Sequence, residues 1–192
     1  MTGKNMARVT KTQTVYQLKI VLAETRPPIW RRVQVQNCNL TKLHTIIQRA
    51  MGWYGGHLWA FDIGGEQYGE NPWGDSDMDM LSSRSIKLSQ LGDEGVKKFR
   101  YIYDFGDNWE HIVTVEKTLD ADPTAKYPLC TAGKRACPPE DCGGPWGYDE
   151  FLVAINDPKH KEHDDLLEWV GGEFDPEKFD LSEVNQQLAA IR

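Results

Sequence analysis

Three cysteines that lie close together in the chain have the side chains best suited to binding a metal. They are spaced C-x6-C-x4-C, at Cys130, Cys137 and Cys142. Zinc prefers four nitrogen or sulfur ligands, so a zinc site needs one more, for which His111 is our candidate and His57 or Cys38 an alternative. The pattern lacks the C-x2-C pair of a zinc knuckle, and free cysteines also pack as small apolar residues. The segment therefore predicts either a zinc site or a group of buried thiols.

A second chemically active group occupies the segment DFGDNWEH, residues 104–111. Asp104 and Asp107 precede His111, and carboxylates beside an imidazole can act as a general base or bind a metal. Asp and Asn next to Gly are also the residues that tight hairpin turns use. Turn chemistry is the simpler explanation, and the Asp104/Asp107/His111 group remains a candidate for catalysis or metal binding.

Aromatic side chains indicate a binding surface. Most of the seven tryptophans must be in the core, because each ring buries a large area. Trp73 and Trp146 stand in glycine-rich segments instead and could line a groove for a peptide or ligand. We expect this groove between the sheet and the Cys130–Gly144 loop. Its candidate residues are Trp30, Arg31, Asp104, Asp107, Trp109 and Trp146.

The elements that position these residues begin with two strands and a helix. Apolar and polar residues alternate over Tyr16–Leu22, which predicts a half-buried strand, and Pro27-Pro28 ends it. Ile29–Val35 reads as the paired second strand. A helix follows, capped by Asn39 or Thr41 and closed by Gly52, with apolar residues on one face. Its apolar stripe is Leu43, Ile46, Ile47, Ala50 and Met51.

The rest of the chain reads as strands followed by helices. His57–Ile63 predicts a third strand, and Phe99–Tyr103 and Trp109–Val115 predict a hairpin whose second strand turns Trp109 and His111 toward the core. From Tyr148 onward the period is helical, with three short helices. The order β-β-α-β, β-β, α-α-α predicts an α+β fold with a mostly antiparallel sheet, similar by analogy to a β-grasp, and a helical C-terminal part.

The chain is long enough for one domain. Residues 1–12 are polar and lack periodicity, which predicts a flexible tail. Residues 13–192 form the predicted domain. We divide it into a sheet part over about 14–117, a cysteine loop over about 120–147 and a helical part over about 148–192.

Charge and hydropathy disfavour several classes of partner. The chain has 22 Lys and Arg against 29 Asp and Glu, a net charge of -7, which repels nucleic-acid backbones and anionic membranes. It has no apolar run of the length that a membrane span needs, and no signal-peptide pattern at its start. We therefore expect a cytoplasmic protein with reduced cysteines.

Several motifs taken together resemble one known family. They are RPPIWRRVQV, AMGW, HLWAFDIGG, YIYDFGDNWEHIVTVEK, YPLCTAGKRACPPEDCGGPWGY and LLEWVGGEFDPEKFDL. Over about residues 14–190 the chain resembles the Ri-plasmid open-reading-frame-three-like family of prokaryotes. The resemblance implies a single α+β domain and assigns no role to the matching residues. Some members have a passenger or resolvase-like label from mobile elements, but a serine recombinase needs a DNA-binding tail, and this tail is acidic.

Three functional hypotheses follow from these patterns. The leading one is a non-enzymatic cytoplasmic module that binds a protein, a peptide or a small ligand in the groove beside the Cys130–Gly144 loop. The second is a metal-dependent, hydrolase-like enzyme that uses either the three cysteines or the Asp104/Asp107/His111 group. The third is a DNA-associated protein of mobile elements, which the net charge disfavours.

Overall fold

The computed structural model describes residues 13–70 and 80–191. The tail predicted for residues 1–12 and the groove candidate Trp73 lie outside the described residues. The described strands are β1 (Thr14–Leu22), β2 (Trp30–Gln36), β3 (Trp59–Ile63), β4 (Glu66–Gly69), β5 (Leu81–Ser82), β6 (Lys98–Tyr103), β7 (Trp109–Asp120) and β8 (Leu129–Lys134). The described helices are α1 (Leu40–Met51), α2 (Leu88–Asp93), α3 (Gly144–Asn156), α4 (His163–Trp169) and α5 (Leu181–Ala189).

These strands form one sheet in the order β5-β4-β3-β6-β7-β1-β2-β8. Neighbouring strands are antiparallel except for β4 and β5, which are parallel. Three of the five helices lie at the C-terminal end of the chain. The predicted α+β class, with a mostly antiparallel sheet and a helical C-terminal part, is confirmed.

Helix α1 covers the core through its predicted apolar stripe. Leu43, Ile47 and Ala50 are fully buried in the same cluster as strand residues of the sheet. The Asn39 side chain caps the helix by accepting a hydrogen bond from the Lys42 amide at 3.0 Å. Gly52 ends it in the left-handed region, with φ of 101°. Local capping and periodicity therefore account for this helix.

Strand β8 lies inside the segment that we interpreted as a cysteine loop. Cys130 stands opposite Val33 of β2 in the register of the two strands. The LCTAGK sequence has weak alternation of its own, and pairing with β2 supplies the hydrogen bonds that define β8 as a strand. The connecting loop is correspondingly shorter, and α3 begins at Gly144.

Arg31 is a largely buried residue with a structural role. Its side chain is 3% exposed and donates hydrogen bonds to the carbonyl oxygens of Ala50, at 3.0 Å, and Lys134, at 3.1 Å. The guanidinium also stacks 4.8 Å from the centroid of the Phe179 ring. Burial lowers the pKa of Arg31. This groove candidate therefore joins the end of α1 to strand β8.

Candidate functional site

Three segments that are distant in sequence meet at one end of the sheet. They are the connection between α1 and β3, the turn between β6 and β7, and the segment 137–144. Trp53 Nε1 donates a hydrogen bond to the Pro138 carbonyl oxygen at 2.9 Å, and the Gly143 amide donates to Asp107 Oδ2 at 3.1 Å. These contacts hold the segment 137–144 against the turn between β6 and β7, whose sequence at residues 104–108 is DFGDN and which we call the DFGDN turn.

The β6–β7 turn is shaped by the Asp104 side chain. Asp104 Oδ1 accepts hydrogen bonds from the amides of Gly106, at 2.9 Å, and Asp107, at 3.4 Å. Asp104 and Asn108 both adopt positive φ, of 56° and 54°, which Asp and Asn tolerate better than most residues. Turn chemistry thus explains one carboxylate oxygen of Asp104 and leaves Oδ2 available to another partner.

That partner is His57, which lies between two carboxylates. His57 Nδ1 is 3.5 Å from Asp104 Oδ2, and His57 Nε2 is 3.1 Å from Asp141 Oδ1. Ligand atoms of all three residues lie within 4.8 Å of one another, and within residues 13–70 and 80–191 this is the group that meets that criterion for metal ligands. The three side chains form the His57–Asp104–Asp141 cluster.

Most of this cluster could not be predicted from the sequence. Asp141 was not a candidate, and His57 entered only as an alternative fourth zinc ligand. The three residues come from separate segments, so no spacing pattern relates them. The one available signal was the acidic pair Glu140-Asp141, enclosed by prolines and glycines in CPPEDCGG, which is rich in charge for a stiff connector.

Glu140 joins the segment 137–144 to the core through hydrogen bonds. Its carboxylate accepts a short hydrogen bond from the Tyr103 hydroxyl and another from the Tyr54 amide at 3.2 Å. The Tyr103 oxygen in turn accepts from the Gly56 amide at 3.1 Å. Burial, reinforced by Glu140, raises the pKa of Tyr103, so the phenol remains protonated and keeps donating.

Replacing Tyr103 by Phe is expected to lower the free energy of unfolding by about 2 kcal/mol, because the change leaves the Glu140 carboxylate and the Gly56 amide without this partner. Urea unfolding followed by fluorescence measures the loss. Tyr54→Phe is the matched control, since the Tyr54 side chain is 82% exposed. An equal loss in both variants would show that the Tyr103 hydroxyl has no special role.

The predicted zinc ligands do not gather at one point in the part of the chain that the structure describes. Cys130 is buried in β8, where its Sγ donates to the Ala132 carbonyl oxygen at 3.4 Å. Burial raises the pKa of Cys137 and raises that of Cys142 to about 12. Protonated thiols are poor metal ligands. All three behave as small packed side chains.

His111 is likewise a core residue. It is fully buried on β7, with Nδ1 3.1 Å from the Trp109 carbonyl oxygen and its ring edge-on to Trp53 at 5.3 Å between centroids. Burial lowers the pKa of His111 to about 4. Strand alternation turns the imidazole into the core, which separates it from Asp104 and Asp107 and from the cysteines.

An open groove lies between helices α3 and α4. Its volume is about 670 Å³, and its described lining residues belong to the end of the cysteine segment, to α3, and to α4 with the residues just before it. This groove therefore differs in position from the one predicted between the sheet and the Cys130–Gly144 loop. Only the last part of that loop, at Asp141 and Cys142, contributes to its wall.

Of the candidate groove residues, Trp146 alone lines this groove. Trp109 is 1% exposed and packs against Trp53 with 5.7 Å between ring centroids. Trp30 lies on the sheet, where Lys19 and Arg32 stand 5.2 and 5.3 Å from its ring centroid. Alternation along β2 and β7 sets these positions, whereas Asp104 and Asp107 belong to the turn described above.

No helix within the described residues is long and apolar enough to cross a membrane.

Comparison with known proteins supplies relatives along nearly the whole chain. Residues 14–183 match the family described as plasmid pRiA4b ORF-3-like protein. The chain is 40% identical over 179 residues to the uncharacterized protein y4hQ of Sinorhizobium fredii strain NBRC 101917 / NGR234. The aligned region covers 91% of each chain. It is also similar to the crystal structure of a protein of unknown function, MM3350 from Methanosarcina mazei Go1. That match has a TM-score of 0.81 and 40% identity, and covers 90% of this chain and 98% of the other.

Proposed function

The chain belongs to the plasmid pRiA4b ORF-3-like protein family, and we propose that it is a binding module whose α3–α4 groove holds a cationic, partly apolar peptide segment of a partner protein. The names of the two relatives state no reaction. The observation that carries the proposal is the pair of exposed tryptophans, Trp146 and Trp169, in a groove lined by carboxylates.

The charge of the groove selects a cationic partner. Asp141, Asp149, Glu150 and Glu162 line it, and its described lining contains no Lys or Arg. Lys161 pairs with Glu162 at 3.4 Å, but both side chains are more than half exposed and the pair is weak. The groove thus retains a negative potential, which attracts and orients a positively charged segment.

The apolar lining favours a peptide over a small enclosed ligand. Trp146 is 83% exposed, Val153 65% and Trp169 48%. Contiguous exposed apolar side chains with a polar rim mark interaction surfaces. A small ligand inside the groove cannot cover a ring as exposed as that of Trp146, whereas a peptide can cover it from outside. Arg and Lys side chains would in addition bind the faces of the rings.

The free cysteines bear on the location of the protein, and its net charge bears on the type of partner. All four cysteines are free, which fits the reducing cytoplasm that we infer for the protein. The net charge of -7 argues against a DNA partner. A hydrolase built on the three cysteines lacks support from the geometry, since their ligand atoms do not converge among the described residues.

A pair of synthetic peptides tests the proposal. One has alternating leucine and lysine residues, and the other replaces every lysine by glutamate. We expect the lysine peptide to quench tryptophan fluorescence with saturation, more strongly at low salt, and the glutamate peptide to give no saturation, because the carboxylates of the groove repel it.

Charge-reversed variants show whether binding occurs in the groove. Asp149→Lys with Glu150→Lys should weaken binding of the lysine peptide by about tenfold or more, because two contacts change from attraction to repulsion. Asp93→Lys with Glu94→Lys is the matched control, since it makes the same charge change at exposed residues of α2 and its C-cap, outside the groove. Equal weakening by both pairs would reject the groove as the binding site.

A further inference from the structure

We propose that the His57–Asp104–Asp141 cluster binds a divalent transition-metal ion, of which Zn²⁺ is the representative. This site differs from the cysteine site that the sequence suggested. It shares Asp141 with the α3–α4 groove but requires no occupant there. Geometry, charge balance and the way in which each ligand is held all support it.

The geometry provides three ligand atoms of suitable types. One imidazole nitrogen and one oxygen of each carboxylate lie within 4.8 Å of one another. Asp104 contacts Nδ1 at 3.5 Å and Asp141 contacts Nε2 at 3.1 Å, and a single ion uses only one of these two nitrogens. Ligands about 2.0–2.2 Å from one zinc ion lie about 3–4 Å apart, so the three atoms must move slightly closer together. Rotation of the Asp141 side chain, which is 66% exposed, would bring its carboxylate to the nitrogen that Asp104 already approaches.

The charge balance of the cluster favours a bound cation. Asp104 and Asp141 bring two negative charges to one imidazole, and among the described residues neither carboxylate forms an ion pair with Lys or Arg. The Asp104 side chain is only 13% exposed, so water compensates its charge incompletely. A bound divalent ion would neutralise both carboxylates while the imidazole remained neutral.

Neighbouring groups hold two of the ligands in place. Asp104 Oδ1 is fixed by the amides of Gly106 and Asp107, which leaves Oδ2 directed toward His57. The imidazole of His57 packs edge-on against the Tyr103 ring at 5.7 Å between centroids. Such supporting contacts orient ligands and raise metal affinity. Their presence distinguishes the cluster from a chance meeting of surface side chains.

The ligand set and its surroundings select the type of metal. One imidazole nitrogen favours Zn²⁺ and related transition metals over Mg²⁺, which binds oxygen ligands almost exclusively. Three protein ligands leave at least one coordination position for water. Because Asp141 also lines the α3–α4 groove, that position is reached from solvent.

Calorimetric titration of the chelator-treated full-length protein tests the proposal directly. We expect Zn²⁺ to bind saturably with one ion per chain, and Mg²⁺ to bind at least about tenfold more weakly. His57→Gln and Asp141→Asn should each lower the affinity for Zn²⁺ by about tenfold or more, since each removes a direct ligand. Asn is tolerated at position 141, where φ is 62°.

Two control variants distinguish this site from a general effect of charge and from metal binding by a thiol. Asp107→Asn removes a charge from the same turn outside the ligand set, and its amide oxygen can still accept from Gly143. We expect it to change the affinity by no more than about threefold, because a charge outside the ligand set is partly screened. Cys142→Ser removes the neighbouring thiol and should leave both the affinity and the visible spectrum of the Co²⁺ form unchanged.

Three outcomes would overturn the proposal. The first is an absence of Zn²⁺ binding by the wild-type protein. The second is a thiolate-to-metal charge-transfer band in the Co²⁺ form that disappears in Cys142→Ser. The third is unchanged Zn²⁺ affinity in both His57→Gln and Asp141→Asn.

Discussion

Acidification from pH 7 to pH 5 is expected to lower the free energy of unfolding by about 4 kcal/mol, through the half-buried His44 and the fully buried His111. Burial lowers the pKa of His44 to about 3 and that of His111 to about 4. In the unfolded chain both imidazoles recover the ordinary value of about 6.5. The folded state therefore keeps both residues neutral over a pH range in which the unfolded state binds protons.

The direction of the effect follows from these values. Between pH 6.5 and about 4 the unfolded chain takes up about one more proton per histidine than the folded protein, so each histidine removes about 1.4 kcal/mol of stability per pH unit. The stabilising contribution is complete above pH 6.5 and is lost as the pH falls. Below about pH 4 His111 is also protonated in the folded protein, and it no longer contributes to the dependence of stability on pH.

The contacts of His44 explain why it resists protonation. Its ring stacks on Trp59 at 4.1 Å between centroids, and Nδ1 is 2.7 Å from the Tyr101 hydroxyl. The same hydroxyl accepts a hydrogen bond from Gln48 at 2.8 Å. Because the hydroxyl oxygen accepts from Gln48, its own hydrogen can be donated to His44 Nδ1, which must then be unprotonated. The sequence pattern does not indicate these contacts, because His44 lies off the apolar stripe of α1.

Urea unfolding at a series of pH values measures the effect. His44→Gln and His111→Gln should each reduce the dependence of stability on pH between 5 and 7 by about half, because each removes one of the two titrating groups. The variants are compared by slope, so their own loss of stability at pH 7 does not affect the test. Wild-type slopes retained in both variants would contradict the assignment.

Replacing Gly144 by Ala is expected to destabilise the protein by about 3 kcal/mol, by combining backbone strain with a steric clash. Gly144 has φ of 71°, a conformation that L residues rarely adopt. A Cβ added there would lie 2.4 Å from the Asp107 carbonyl oxygen, which belongs to the backbone of the DFGDN turn. The clash therefore requires the segment 137–144 and the turn to move apart.

Gly64→Ala isolates the backbone part of this cost. Gly64 has a similar φ of 65°, and a Cβ there meets nothing within 4 Å. We expect this control to lose about 1 kcal/mol. Calorimetric melting of both variants gives the comparison, and equal losses would refute the clash. Because α3 begins at Gly144 and includes Trp146, Gly144→Ala should also weaken peptide binding in the groove.

Much of the fold follows from local physical patterns. Period-two alternation predicted β1, β2, β6 and β7, because successive side chains of a strand point to opposite faces. The apolar stripe and its caps predicted α1. Strand β8 was missed, because it depends on pairing with β2 more than on its own sequence.

The candidate sites were much less predictable. Alternation correctly placed Trp109 and His111 on a buried face, which leaves them inside the core and away from any groove. The sequence suggested that the cysteines act together, but the strand geometry of β8 and the packing of the following segment keep their ligand atoms apart. Proximity in sequence was a poor guide because each side chain follows the face of its own element.

By itself the sequence determined the class of fold, the faces of the main strands and the family to which the chain belongs. Only the tertiary structure brought His57, Asp104 and Asp141 together and opened the α3–α4 groove beside them. The physical reason is that local periodicity specifies which way a side chain faces. Which distant segments then meet depends on how the three connections at the end of the sheet pack against one another.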